Sequence, residues 1–511
     1  MKKHKYIAAL SKLAILLVPV ILALSIRGIG GNPTDETLNS PEFKKNGPME
    51  LSPERGRFAL IYSLIEHKSF QFELPIAQFA TPDLGYKDGK YVSLFLPGVS
   101  ILSIPGYLLG KIFGLAQVGT FATISLFAFF NFLLIRSIAI RLGANRMAAT
   151  IGSLIFLFAT PAFTYAVTLY QHHVSVFLIL ASLYALIRWE NSWSLLLIWF
   201  LIAASITIDF PNLFMMLPVG IYALGRVISL QSVKEKMIVK VKLANLLPIF
   251  IVLLPLAFFG WSNLLSYGKF FQLTANLETI KAINNKGQPI FEGNLGKEPE
   301  TIEDRPSPDN MPFSFFRTRN MLNGFYIHFL SPDRGIIYYA PVILFGFFSF
   351  VFFYKKSKIM VLMFMIIAVN ILLYSMWGDP WGGWAFGSRY LVPSYALLSV
   401  FISLGLTKFS RNKIFILIFY LVACYSISVN TLGALTSSAN PPKIEVLSLE
   451  KISGHQEKYT YARNIDVLKQ GSLKSFVFRS FADNYLDAVY YYYFISGLII
   501  LIVGAHLKIY E

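Results

Sequence analysis

Only one cysteine, Cys424, stands among the 511 residues. It lies inside an apolar run, so no intramolecular disulfide and no cysteine cluster can form. Charge is scarce too: Asp, Glu, Lys and Arg together make up 14% of the chain. With 55% apolar residues and a mean hydropathy of +0.56, a soluble protein of this size could not hide its apolar surface. The scarcer sign is negative, with 28 acidic residues against 45 Lys and Arg and a net charge of +17. In a soluble protein that excess would suggest nucleic acid. Here it sits in short segments between apolar runs, where cytoplasmic membrane loops collect Lys and Arg. No A-x-A-like site follows the first apolar run, 6–26, which is about as long as a full span. It is read as an uncleaved first helix with its N-terminus in the cytoplasm.

Apolar runs of spanning length follow at 118–135, 147–169, 174–187, 193–208, 210–230, 243–265, 336–354, 359–376, 390–406, 414–432 and 488–507. A further run, 92–114, carries Pro97, Pro105 and four glycines. If it does not cross, the basic segments at 136–146, 188, 234–242, 355–358, 408–413 and 508 share one side with the N-terminus. The positive-inside rule favours that arrangement. The expectation is an all-α polytopic protein of about 12 transmembrane helices, with 92–114 as an interfacial or re-entrant helix. Both termini are then cytoplasmic. The long polar segments 32–91, 266–335, 377–389 and 436–487 gather on the outer face, where chemistry or binding is expected. Within 266–335 the length itself suggests a functional loop.

Ser52 is placed to cap a helix, Pro53 suits its first position, and Glu54 falls in its first turn. Phe58, Ile61, Tyr62 and Ile65 recur at helical spacing, giving one apolar face. Glu54 either complements the helix dipole or offers a carboxylate at the membrane surface. Arg55 and Arg57 follow it, and Asp35-Glu36 and Asp83 are nearby acids. Asp88-Gly89 reads as a turn. Asp209, between two apolar runs, either caps the next helix or serves a site. His172-His173 occupy a short outer turn without a visible third metal ligand.

Several stretches resemble one known family. ERGRFAL (54–60), SLIEHKSF (63–70) and YKDGKYVSLFLPGVSILSIPGYLLGK (86–111) are similar to the first-loop signature of GT-C glycosyltransferases. The branch resembled is that of the bacterial and archaeal relatives of protein O-mannosyltransferases and lipid A aminoarabinose transferases. FLSPDRGIIYYAPVIL (329–344) and WGDPWGGWAFGSRYLVPSYALL (377–398) are similar to later motifs of the same branch. One departure is Arg55, where many members carry a second acid.

The resemblance implies an integral plasma-membrane enzyme with its active site outside. It would move a hexose or pentose, with inversion, from a polyprenyl-phosphate donor to a hydroxyl of a glycan, lipid or protein. Glu54 is the implied catalytic base, with Asp35 and Asp83 as alternates. Arg389 and Arg334 are the implied partners of the donor phosphate; for Arg389 the rival is an anchor in an aromatic belt. Arg57, Asp209, His172, His173, Asp379 and Trp384 are candidates for substrate contact. No cofactor beyond the lipid-linked sugar is implied, and a divalent metal is left open. Residues 1–434 would form the membrane-embedded catalytic module, with outer loops at 27–117 and 266–335. A C-terminal outer loop (435–487) and a last helix with its tail (488–511) would complete the chain. Rival classes are a transporter or flippase of lipid-linked sugars, and a lipid-diphosphate-dependent glycan ligase or polymerase.

Overall fold

Apolar helices make up the body of the computed structural model, which describes residues 2–508 except 234–235, 275–276, 285, 292–315 and 455. Lys234 and the middle of the 266–335 loop therefore lie outside the described residues. The helices are α1 (Lys2–Ser25), α2 (Ser52–Tyr62), α3 (Pro97–Ile112), α4 (Ala116–Arg141), α5 (Arg146–Phe158), α6 (His172–Arg188), α7 (Ser192–Ile208), α8 (Asn212–Val227) and α9 (Leu253–Tyr267). They continue with α10 (Leu344–Phe353), α11 (Lys358–Ser375), α12 (Val392–Lys408), α13 (Lys413–Leu435), α14 (Lys443–Ser453), α15 (Ala462–Lys469) and α16 (Ala488–Lys508).

Among the described residues, six helical stretches are long and apolar enough to cross a membrane: Ala116–Arg141, Leu243–Tyr267, Lys358–Ser375, Arg389–Lys408, Lys413–Leu435 and Ala488–Lys508. Five of the expected spans, 147–169, 174–187, 193–208, 210–230 and 336–354, appear as shorter apolar helices, and proline explains two of the breaks. A proline lacks the N–H that a continuous helix needs. The run 147–169 stops at Phe158, and Pro161 opens a separate turn, Ala162–Ala166. The run 336–354 is divided at Pro341. α12 lies at the centre, with almost every residue buried, packed among α4, α5, α10 and α11.

The run 92–114 forms α3, which folds back along α4 through the turn at Phe113–Leu115. Its glycines provide backbone contact rather than a break in the helix. A Cβ on Gly119 would stand 2.1 Å from the Gly106 carbonyl oxygen and 2.9 Å from Gly110 Cα. Only residues without a side chain allow that approach.

α2 begins one residue earlier than its sequence suggests. Leu51 is the cap position, and Ser52, already helical, donates to Asp83 Oδ2 at 2.5 Å. The capping task falls to Glu54, whose Oε2 accepts from the N–H groups of Glu50 (3.0 Å) and Leu51 (3.4 Å). Nearly all of α2 is buried, on both faces, so it is enclosed rather than lying on a surface with one wet side.

The all-α expectation holds for the body but not for the loops. Outside it, β1 (Gln71–Phe72), β2 (Leu84–Lys87) and β3 (Lys90–Ser93) join β6 (Glu278–Ile283) and β7 (Pro289–Phe291) in an antiparallel sheet of order β1-β3-β2-β6-β7. The pairing Leu84↔Ile280 ties the loop 27–117 to the loop 266–335. Asp88 and Gly89, both at positive φ, make the two-residue turn between β2 and β3. A separate hairpin pairs β4 (Ile228–Val233) with β5 (Lys236–Val241). The C-terminal loop folds back onto the first loop: Arg27 bridges Ser475, and Ser438 meets Glu50.

Candidate functional site

Six separate segments meet at one cavity of ≈ 200 Å³: the start of α2, Leu94–Leu96 before α3, the turn before α6, the turn after α7, Thr274 beyond α9, and the stretch from the end of α11 to the start of α12. Arg57 projects from the second turn of α2. Its Nη1 donates to the Pro53 carbonyl (3.0 Å) and its Nη2 to Gln171 Oε1 (2.7 Å). Gln171 in turn donates from Nε2 to Asp209 Oδ2 at 3.0 Å. Gln171 thus bridges a guanidinium and a carboxylate that both line the cavity. Arg389 lines the same cavity, 5.1 Å from the ring centre of Tyr170 and 5.6 Å from that of Tyr390. Tyr390 stacks on Tyr374 at 4.2 Å, making that wall flat and aromatic.

The cavity is rich in unspent donors. Arg57 Nε, Arg389 Nε, the Tyr170 hydroxyl and His172 Nε2 are all buried without a hydrogen-bond partner. These atoms give the cavity and the layer behind it hydrogen-bonding capacity that the protein itself does not use. Burial lowers Arg57 to about 10, against the opposing pull of Tyr170 and Asp209, and it stays charged at neutral pH. Burial raises the Asp209 carboxyl, while Gln171, Arg57 and Arg389 pull it back only in part. The arrangement can hold an anion between two guanidinium groups and present a basic carboxylate beside it.

Ile208 lines this cavity and also a second, apolar one of ≈ 470 Å³. The second is walled by α3, α4, α6, α7 and α9 through Leu102, Phe127, Phe177, Leu201 and Phe258. Its walls are almost wholly hydrocarbon, so it suits an apolar group.

The structure brings Arg57, Asp209 and Arg389 together around the cavity. Glu54 lies directly behind it, between the lining residues Pro53 and Arg57, with Oε1 3.4 Å from the Leu169 N–H. Burial raises its carboxyl, Glu50 adds to the rise, and Arg27 opposes it. His172 is one ring further back, stacked on Tyr170. His173 is fully buried between the Ala162 carbonyl and Asn131, so this pair is no solvated turn. Asp209 closes α7 instead of capping α8, whose cap position is Pro211.

The remaining candidates lie elsewhere. Arg334 is buried and donates to the carbonyls of Trp381, Asp333, Gly383 and Asn440, which ties three loops together. Asp379 accepts from the N–H groups of Trp381 and Gly383, holding a turn with Gly382 and Gly383 at positive φ. Trp384 donates to Glu445 at 2.6 Å and faces Arg463. Asp83 pairs with Lys281 at 2.9 Å. Asp35 accepts from Tyr62 (2.7 Å) and contacts His67 Nε2 (3.2 Å). Asp35, His67 and Glu73 form the one group of potential metal ligands among the described residues, and none of them lines the cavity.

Sequence reasoning passed over Gln171, Tyr170, Tyr374 and Tyr390. It also passed over a buried pair below α2, Arg27 and Glu50, at 2.8 Å. Glu50 Oε2 further accepts from the Ser438 N–H and hydroxyl. Burial would raise this carboxyl, but Arg27, Lys474 and the Ser438 bond outweigh it and hold it at about 2. The one signal was Arg27 itself, a lone charge where the first span ends.

Fold and site together define a mostly helical integral membrane protein with an arginine-walled cavity opening beside an apolar one. No protein-family model matches the sequence, and no curated protein matches it. Solved structures similar to this chain include ArnT from Cupriavidus metallidurans in the apo state and the same protein bound to undecaprenyl phosphate. Each is 12% identical with a TM-score of 0.43, over 99% of this chain and 78% of theirs. A likeness of that degree carries no weight for what this chain does.

Proposed function

We propose that the protein is an inverting glycosyltransferase that moves a sugar from a polyprenyl-phosphate donor to an acceptor hydroxyl at the extracytoplasmic membrane face. The observation that carries this reading is that Ile208 lines two neighbouring cavities, one with two guanidinium groups and a carboxylate and the other apolar. A lipid phosphate is the ligand class that fills both: a long hydrocarbon chain and a compact anion.

In this reading the donor phosphate sits between Arg57 and Arg389. The acceptor oxygen attacks the anomeric carbon from the face opposite the phosphate and forms the new glycosidic bond. The bond from that carbon to the phosphate oxygen breaks, and its electron pair leaves with the polyprenyl phosphate. Both arginines stabilise the charge that grows there. The acceptor proton passes to a carboxylate. Glu54 fits that role by its raised basicity and its place behind the cavity wall. Asp209 is the second reading, favoured because its carboxylate lines the cavity itself.

Arg334, held by four carbonyls, then acts by fixing the loops that carry Arg389 rather than by meeting phosphate. The twelve-span arrangement with both termini in the cytoplasm belongs to the same proposal. Its test is to incubate purified protein with a panel of polyprenyl-phosphate hexoses and pentoses and to measure released polyprenyl phosphate. Lipid flip across proteoliposomes with no covalent product would replace the transferase with a transporter.

A further inference from the structure

A third cavity, ≈ 480 Å³, opens at the far end of α12. Residues 389–408 run from Arg389 to Lys408 as one helical stretch. At ~1.5 Å per residue its ends lie about 30 Å apart, the thickness of a bilayer's hydrocarbon core. This cavity therefore faces the leaflet opposite the Arg57 and Arg389 cavity.

Its rim is cationic. Arg141 comes from the last turn of α4, Lys356 from the link after α10, and Lys408 from the last residue of α12. No carboxylate is among the lining residues. The ammonium groups rest on aromatic faces instead: Lys408 lies 4.1 Å from the Phe352 ring centre, and Lys356 4.7 Å from that of Phe353. Arg141 is held the same way, 5.2 Å over Tyr184. Cation–π contact positions these charges without neutralising them. α11 also starts here, with Ser357 as its cap, and its N-terminal end adds positive potential. The floor is apolar, made by Leu142, Phe353, Met360 and Leu404. Beside it the outward face of α10 exposes Phe348, Val351 and Phe352.

We propose that this cavity binds the head group of an anionic phospholipid, with its phosphodiester among Arg141, Lys356 and Lys408 and its acyl chains along α10. Charge complementarity selects the anion. The apolar floor and the exposed face of α10 select a lipid over a free phosphate. A zwitterionic lipid brings its own ammonium group into a rim that already holds three cations, and is disfavoured. This site is independent of the function proposed above.

The test is thermal unfolding of the purified full-length protein in mild detergent, titrated with phosphatidylglycerol, with phosphatidylcholine of the same chains, or with inorganic phosphate. Ligand that binds only the folded state raises the midpoint. Phosphatidylglycerol is expected to raise it by several degrees and the other two to leave it unchanged. The variant R141Q/K356Q/K408Q loses the shift, whereas R188Q/K242Q/R411Q, with the same loss of charge, keeps it. An equal shift in both variants, or an equal response to phosphatidylcholine, would overturn the proposal. A shift produced by inorganic phosphate alone would reduce the site to an anion site and overturn the lipid. Should the first variant fold poorly, native mass spectrometry of the wild type decides. One retained phosphatidylglycerol that excess phosphatidylcholine does not displace supports the site, and ready displacement refutes it.

Discussion

At Glu50 the chain places a largely buried carboxylate against the fully buried guanidinium of Arg27. Breaking such a pair leaves the other charge buried and uncompensated, at a cost of roughly 3–5 kcal/mol. Glu50→Gln is expected to destabilise the protein by about that much in denaturant or thermal unfolding. Because the folded-state value is depressed to about 2, this stabilisation is present above the ordinary carboxylate range and is lost as pH falls through about 2. The two carboxyls near the cavity behave oppositely. Glu54 and Asp209 are raised, so folding favours their protonated forms and that contribution fades as pH rises through the folded values. A base must be ionised to act, so kcat/KM is expected to rise with pH through a limb above the usual carboxylate range. Whichever of Glu54→Gln and Asp209→Asn abolishes that limb identifies the base. Arg389→Gln is expected to cost about 10²–10³ in kcat, the scale for removing one preorganised donor at developing charge.

Among the elements, the helical body was readable from apolar run lengths, and α2 from Ser52, Pro53 and the spacing of Phe58, Ile61 and Tyr62. The site was only partly so. Arg389 and Asp209 stand out as charges at span ends and Arg57 as a charge in the first loop, whereas Gln171 and the tyrosines carry no local pattern and gain their meaning from six segments meeting. The sheet was hidden for a similar reason. β1 has two residues, and β2 finds its partner β6 nearly two hundred positions along the chain. No periodicity of 84–87 announces such a partner. The glycines of 92–114 were visible as residues but not as a contact surface, because their partner Gly119 lies on the next helix. Gly119→Ala forces α3 and α4 apart against backbone atoms, and about 1–3 kcal/mol of destabilisation is expected by thermal unfolding.

For the whole molecule the central claim is that the arginine cavity and the apolar cavity meeting at Ile208 form one site for a lipid-linked sugar phosphate. The extensive loops then act as a single unit. The first is sewn to the second through β2 and β6, and to the C-terminal loop through Glu50 and Ser438. This scaffold holds α2, and with it Arg57 and Glu54, against the turns that carry Tyr170 and Asp209. The most direct measurement is release of polyprenyl phosphate, with sugar transfer to an acceptor, by purified wild-type protein and by Arg57→Gln and Arg389→Gln variants. Turnover of at least one polyprenyl-phosphate sugar by the wild type, lost in both folded variants, is the expected result. Undiminished turnover by both variants would contradict the account.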